Sequence, residues 1–291
     1  MFRVGPSSSG FSLIELMVVM VIFLIVTGAV FGLLNTAQVR YRSEQQFLDS
    51  LQGARTGLEQ IARDIHRAGY PALNAYDTVP QTPPSLWTAA GGIPSASVAV
   101  PFVGMRAGAI DQTCIVDTAN PALSTCVIPG PFELILEADL DPENAATPAQ
   151  VEWVYYRVDL PGNALVSPPN GGGADPVTRT LYRSVTAKTC AGPPWVPLTC
   201  VGGNPVAAGV PFVDNILNDP ALYGGDPEEA VFRYRCADIN ADGVPDTTCT
   251  PENIDEVYIV LRARAYSRDL QTRQIRALTL QSVAQPLNPP Q

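Results

Sequence analysis

The stretch CADINADGVPDTTC, residues 236–249, places Asp238, Asn240, Asp242 and Asp246 at positions 1, 3, 5 and 9 of a turn with Gly243 at position 6. Alternate side chains of a tight turn converge on one hard cation, so this spacing matches the first half of a calcium loop, and a calcium ion is the expected cofactor. Position 12 is Cys249 where an EF-hand has glutamate, which sends the search for a further ligand to Glu252 or Asp255. An Asx-rich hairpin turn would use the same residue types for local hydrogen bonds, and it stands as the alternative.

Other chemistry is sparse. His66 is the single histidine, and no nucleophile elbow or HExxH sequence is present, so an enzyme is not expected. The neighbouring acids Glu228 and Glu229 read as solvated charge, because adjacency in sequence does not set two carboxylates across a substrate. NGGGAD at 170–175 lacks the Lys and Ser/Thr that follow the glycines of a phosphate loop and reads as a connector. Net charge is −10 and Lys188 is the single lysine, which argues against nucleic acid as a partner.

Six cysteines fall into local pairs, Cys114 with Cys126, Cys190 with Cys200 and Cys236 with Cys249. Their contexts suit small disulfide loops, each worth about 3 kcal/mol on the loop-closure model and each requiring an oxidising compartment. Fifteen connectivities are formally open to six cysteines, and local pairing is the expectation among them. Zinc is disfavoured, since there is no CxxC and only one histidine.

An acid of a different kind opens the chain. Glu15 precedes nineteen uncharged residues, Leu16 to Leu34. At about 1.5 Å per residue that run spans roughly 28 Å of helix, enough to cross a hydrocarbon core. It is longer than the apolar part of a secretory signal and lacks a small-residue cleavage site. A charge inside lipid costs at least about 2.5 kcal/mol, so Glu15 needs a counter-charge. No Lys or Arg lies within two helical turns of it. A cut after Gly10 would create one, the new amine of Phe11.

Gly10, Phe11, Ser12, Leu13, Ile14 and Glu15, followed by the apolar run, resemble the class III signal of type IV prepilins and type II secretion pseudopilins. The resemblance implies that a prepilin peptidase/methyltransferase cuts between Gly10 and Phe11 and methylates the Phe11 amine. It further implies that Glu15 neutralises an N-terminal amine during assembly. Arg3 is the one basic side chain of the leader while Arg40 and Arg42 lie beyond the segment, a departure that weakens the orientation signal. ARDIHRAGYP, residues 62–71, is similar to the helix end of PilW-type minor pilins, with His66 where that pattern has arginine and therefore without a special role.

The elements that must position these residues follow. Past the apolar run, Phe47, Leu51, Ala54, Leu58, Ile61, Ile65 and Ala68 step by three and four and form one helical face. Arg40, Arg42, Glu44, Arg55, Glu59, Arg63 and Asp64 occupy the remaining positions, a solvated or subunit-facing surface with charges of both signs. Gly53 and Gly57 each weaken the helix by about 1 kcal/mol, and Gly69, Tyr70 and Pro71 stop it. Strands are expected at 132–137, 151–158, 178–186, 230–236, 256–266 and 273–283, with a hairpin loop between the last two and long loops at 71–100 and 160–176. The fold class is α+β: a long N-terminal α-helix, transmembrane then amphipathic, packed on an antiparallel sheet.

Together these divide the chain into a leader (1–10), a transmembrane half-helix (11–34), an amphipathic half-helix (35–70) and a strand-rich, disulfide-containing head (71–291). The resemblance implies a minor pilin that primes or caps a type IV pilus. It sits in the inner membrane with a periplasmic head before assembly and in the extracellular pilus afterwards. Its partners are other pilin subunits, major and minor. The alternatives are a J-type pseudopilin of a type II secretion system and a pilin-stem adhesin using loops around Trp87 and Trp195. The calcium turn itself looks like those of dockerin and thrombospondin type 3 repeats, with the Val244 carbonyl at position 7.

Overall fold

A computed structural model describes residues 12–70, 99–140, 151–158, 178–189, 205–220, 222–224, 226, 228–268 and 275–287. Gly10, Phe11, Cys190, Cys200, Trp87, Trp195 and the 170–175 segment lie outside the described residues.

One α-helix, α1 (Leu13–Arg67), runs unbroken for 55 residues, about 82 Å at 1.5 Å per residue. No proline interrupts it, and its two glycines at 53 and 57 are tolerated inside a helix held by packing. Gly69 ends it in the left-handed region, at φ 79°, where a Cβ would be strained. The Gly69 N–H donates to the carbonyl of Glu137 at 2.8 Å, and the Asp139 N–H to the carbonyl of Tyr70, which stitches the helix end to the sheet.

Among the described residues eleven strands follow in chain order: β1 (Met105–Arg106), β2 (Ala109–Ile110), β3 (Val116–Asp117), β4 (Glu133–Ala138), β5 (Glu152–Val158), β6 (Arg179–Ala187), β7 (Val210–Ile216), β8 (Phe232–Cys236), β9 (Thr248–Cys249), β10 (Ile254–Arg268) and β11 (Ile275–Ala284). Seven form one antiparallel sheet ordered β11-β10-β7-β6-β5-β4, with β8 paired to the first part of β10. Backbone bonds from Val231 and Phe232 to the carbonyl of Pro131 also bring the start of β8 beside the start of β4. Within this sheet β7 is the strand the periodicity did not foresee, and the two-residue strands β1, β2, β3 and β9 outside it were not foreseen either; β7 begins VPFVDN, where proline and aspartate mask a strand pattern.

The sheet lies on the helix stripe as expected. Ala54, Leu58, Ile61, Ile65 and Ala68 are buried against Val257, Ile259, Leu261 and Ala263, the alternating face of β10. Fully burying each isoleucine or leucine contributes about 1.5–3 kcal/mol, so this contact is the main anchor of the helix to the head. Gly57 is required by it: a Cβ there would stand 2.2 Å from Cγ2 of the buried Val213. Its role is close approach between helix and sheet.

A smaller core covers the other face of β4 and β5, where Val100, Val103, Met105 and Ile128 pack on Ile135, Trp153 and Tyr155. Two disulfides close loops beyond it. Cys114 is joined to Cys126 and Cys236 to Cys249, and the two loops are cross-paired by β3 and β9, Val116 opposite Cys249 and Asp117 opposite Thr248.

Candidate functional site

The first half of α1 has no protein around it. Apolar side chains from Leu13 through Leu34 stand exposed, and among the described residues α1 is the one helix long and apolar enough to cross a membrane. At its start the Ser12 N–H donates to Glu15 Oε2 at 3.4 Å, so the acid turns back over the helix N-terminus, where a negative charge meets the positive end of the dipole.

Where the helix enters the head, the sequence expectation needs correction. Asp64, placed on the solvated or subunit-facing surface, is fully buried. Its Oδ2 accepts from the Tyr156 hydroxyl at 2.5 Å and from Arg183 Nε and Nη2 at 2.9 and 2.8 Å, while Oδ1 accepts from Gln60 Nε2 at 2.8 Å. The Arg183 guanidinium also lies over the Tyr156 ring, 5.9 Å from its centroid. Burial, with the Asp64 carboxylate beside it, pushes the Tyr156 phenol well above its ordinary pKa, so the hydroxyl stays a donor. Position 64 lies three residues after Ile61 and four before Ala68, on the apolar face, and that spacing was the available signal.

Two further charges are engaged inside the head, Lys188, for which the sequence offered no placement, and Glu229. Lys188 is buried, and its Nζ donates to Glu137 Oε2 at 2.6 Å. Glu137 also accepts from Trp153 Nε1 and the Val100 N–H, an interior network tying the 99–110 segment to the sheet. Glu229, read as solvated beside Glu228, pairs with Arg262 and accepts the Asp219 N–H at 3.1 Å. His66 is exposed, with Nδ1 at 2.7 Å from the Gln285 carbonyl, a link between stem and C-terminal segment.

The 236–249 loop is closed by its disulfide, and Gly243 adopts φ 85° at the turn. Asp238 accepts from the Asp242 and Gly243 N–H groups at 3.1 and 2.7 Å, Asn240 from Asp242 at 3.0 Å, Asp242 from Val244 at 2.8 Å and Asp246 from Ile239 at 3.0 Å. The side chains are thus folded onto their own backbone. Asp255 is engaged by Arg235 at 2.8 Å, and Glu252 is half-buried, its carboxyl raised above the usual range by burial. Among the described residues no three His, Cys, Asp or Glu side chains converge as a metal group. The donor set, oxygen throughout, has the chemistry of a hard-cation site.

Fold and stem define a class: an α+β subunit whose head is built around one end of a helix and whose other end is left to find apolar company elsewhere. Comparison sharpens this. Residues 6–31 match the family model described as the prokaryotic N-terminal methylation motif. The match covers the chain's first residues and the start of α1, a segment like that of type IV pilin and pseudopilin precursors; it implies processing by a prepilin peptidase and pilin-like assembly, with the apolar helix as the membrane anchor beforehand. No curated protein and no solved structure matches the chain.

Proposed function

We propose that this chain is a minor pilin, most similar to the PilW type, that is cut between Gly10 and Phe11, methylated on the Phe11 amine, and then incorporated into or set at the end of a type IV pilus. One observation carries the reading: a single unbroken helix is naked and apolar over its first half yet is core to the head over its last turns. Leaving the inner membrane, with its head on the periplasmic side, would expose that half to water unless other pilin helices replace the lipid, which is what a filament core of major and minor subunits supplies. Glu15, turned toward the chain start, is the group that a freed amine on this or a neighbouring subunit would neutralise. The test is to co-express the full chain with a prepilin peptidase and weigh it. Loss of residues 1–10 with gain of one methyl group supports the proposal, and an intact N-terminus or a cut near residue 35 overturns it.

The same head is proposed to take calcium in the 236–249 loop, through Asp238, Asn240, Asp242, Asp246 and the Val244 carbonyl, once the side chains turn from their own amides. Support comes from the all-oxygen donor set and the glycine turn. Extracellular calcium modules bind with Kd of about 10⁻⁴–10⁻³ M, so a melting curve in millimolar calcium chloride reads the site. A calcium-dependent rise in Tm that Asp242→Ala abolishes supports it; no rise, or a rise that survives the substitution, removes it.

A further inference from the structure

A cavity of about 420 Å³ opens between the Cys114–Cys126 loop, the Pro129–Pro131 turn and β8. Its size lies within the range of small-ligand sites, roughly 300–1,000 Å³. Val116, Val127, Pro131, Tyr223 and Phe232 give it apolar walls, and Arg233 contributes the cation. The walls are firm. The Tyr223 ring packs edge-on against Phe132 with centroids 5.3 Å apart, and the Tyr234 hydroxyl donates to the Gly130 carbonyl at 2.7 Å. A Cβ at Gly130 would meet the Val127 carbonyl oxygen at 2.6 Å, so the turn that forms one wall is packed as tightly as a glycine allows.

Arg233 is the unexplained group. Arg235, two residues on and so on the same face of β8, is paired with Asp255 at 2.8 Å and Glu256 at 3.0 Å. Arg233 has no ion pair among the described residues, and that sets it apart from Arg235; its buried Nε lacks a hydrogen-bond partner, as do those of Arg157 and Arg235. It is near enough to Tyr223 to oppose the rise that burial gives that phenol's pKa. The one carboxylate in the wall, Asp117, is already turned onto the Ala119 and Asn120 N–H groups at 3.0 and 2.7 Å. A guanidinium without an ion pair among the described residues, in the wall of a preformed and partly apolar hole of an acidic molecule, is a group that a ligand's carboxylate can pair.

We propose that this cavity binds a small carboxylate with an apolar body, the carboxylate on Arg233 and the body against Val116, Val127 and Tyr223. Arginine presents a planar fork of donors matched to a carboxylate, and the walls match an aromatic or branched aliphatic group. The site is independent of the stem and of the proposed pilus role, so either can fail without the other.

The test is calorimetric titration of the full chain in lipid nanodiscs with N-acetyl-L-phenylalanine, its neutral amide N-acetyl-L-phenylalaninamide, and 3-phenylpropionate. The acetylated amino acid should bind saturably, and the amide at least about tenfold more weakly. Arg233→Gln should cause a similar loss. Val127 is 62% exposed, so Val127→Asp leaves the core intact while placing a like charge at the rim, and it should also weaken binding about tenfold or more. Equal binding of 3-phenylpropionate supports free aromatic acids as the ligand, and preference for the acetylated amino acid supports a peptide C-terminus. Absence of saturable binding at about 10 mM, which corresponds to under about 3 kcal/mol, overturns the proposal. So does equal affinity for acid and amide, or binding that survives both Arg233→Gln and Val127→Asp.

Discussion

Replacing Asp64 by alanine should be among the most damaging single changes in the head. The carboxylate is fully buried and accepts four donors, from Tyr156, Arg183 twice and Gln60. Breaking a buried ion pair from one side costs about 3–5 kcal/mol, because the surviving partner keeps its desolvation penalty. Arg183 retains 21% side-chain exposure and can recover some hydration, while the Tyr156 hydroxyl cannot, which places the expected loss at about 3–4 kcal/mol. For a head of this size each kcal/mol moves Tm by about 2–4 °C, so the variant should melt about 6–16 °C lower. The assay is thermal denaturation of the full chain in detergent with its disulfides intact. The control is Arg276→Ala, which breaks the exposed pair with Glu44 and should cost no more than about 1 kcal/mol. The double variant Asp64→Leu/Arg183→Met, which removes both charges and refills the volume, should recover most of the loss. A loss in Asp64→Ala no larger than in Arg276→Ala refutes the clasp, as does a double variant that melts below the single one.

Gly57→Ala should lower Tm despite the better helix propensity, because the new methyl would sit against buried Val213, whereas Gly53→Ala meets nothing within 4 Å and should gain up to about 1 kcal/mol; thermal melts of the pair that order the other way would refute the close-approach reading. Burial raises the Glu133 carboxyl above its ordinary pKa of 4.5, with Tyr155 and Arg157 opposing. A raised folded pKa means the folded head takes up this proton more readily than the unfolded chain, so the contribution is present at low pH and is lost as pH rises through the folded value. Glu133→Gln removes that titration and should gain on the wild type between pH 4 and pH 7, read as a difference in Tm; an unchanged difference refutes it. Glu15→Ala should still fractionate with membranes but be missing from sheared filaments, and normal incorporation would refute charge pairing.

The long elements were legible because each obeyed one period. The helix stripe steps by three and four and the 256–266 stretch alternates, and from Ala54 to Ala68 and Val257 to Ala263 these are the faces that meet, while Phe47 and Leu51 stay only partly buried. What escaped were residues whose position and type disagree. Asp64 and Lys188 are charged yet inside, each admitted because a partner distant in sequence, Arg183 or Glu137, neutralises it. No local pattern announces such a partner. Arg233 was invisible for the converse reason: a strand arginine looks solvated until its neighbour Arg235 is seen to be paired and it is not.

The cross-pairing of the two disulfide loops by β3 and β9 gives the head a chronology. Four sulfurs brace the two loops that β3 and β9 join, and the first of them carries Val116, with Val127 just past its closing cysteine, in the wall of the hollow beside Arg233. The helix and strands β4, β5, β6, β7, β10 and β11 contain none of these four cysteines, so most of the sheet does not wait on those bonds, while Cys236 ends β8. The recess is then completed by oxidation, which under the proposed function comes once the head stands in an oxidising compartment.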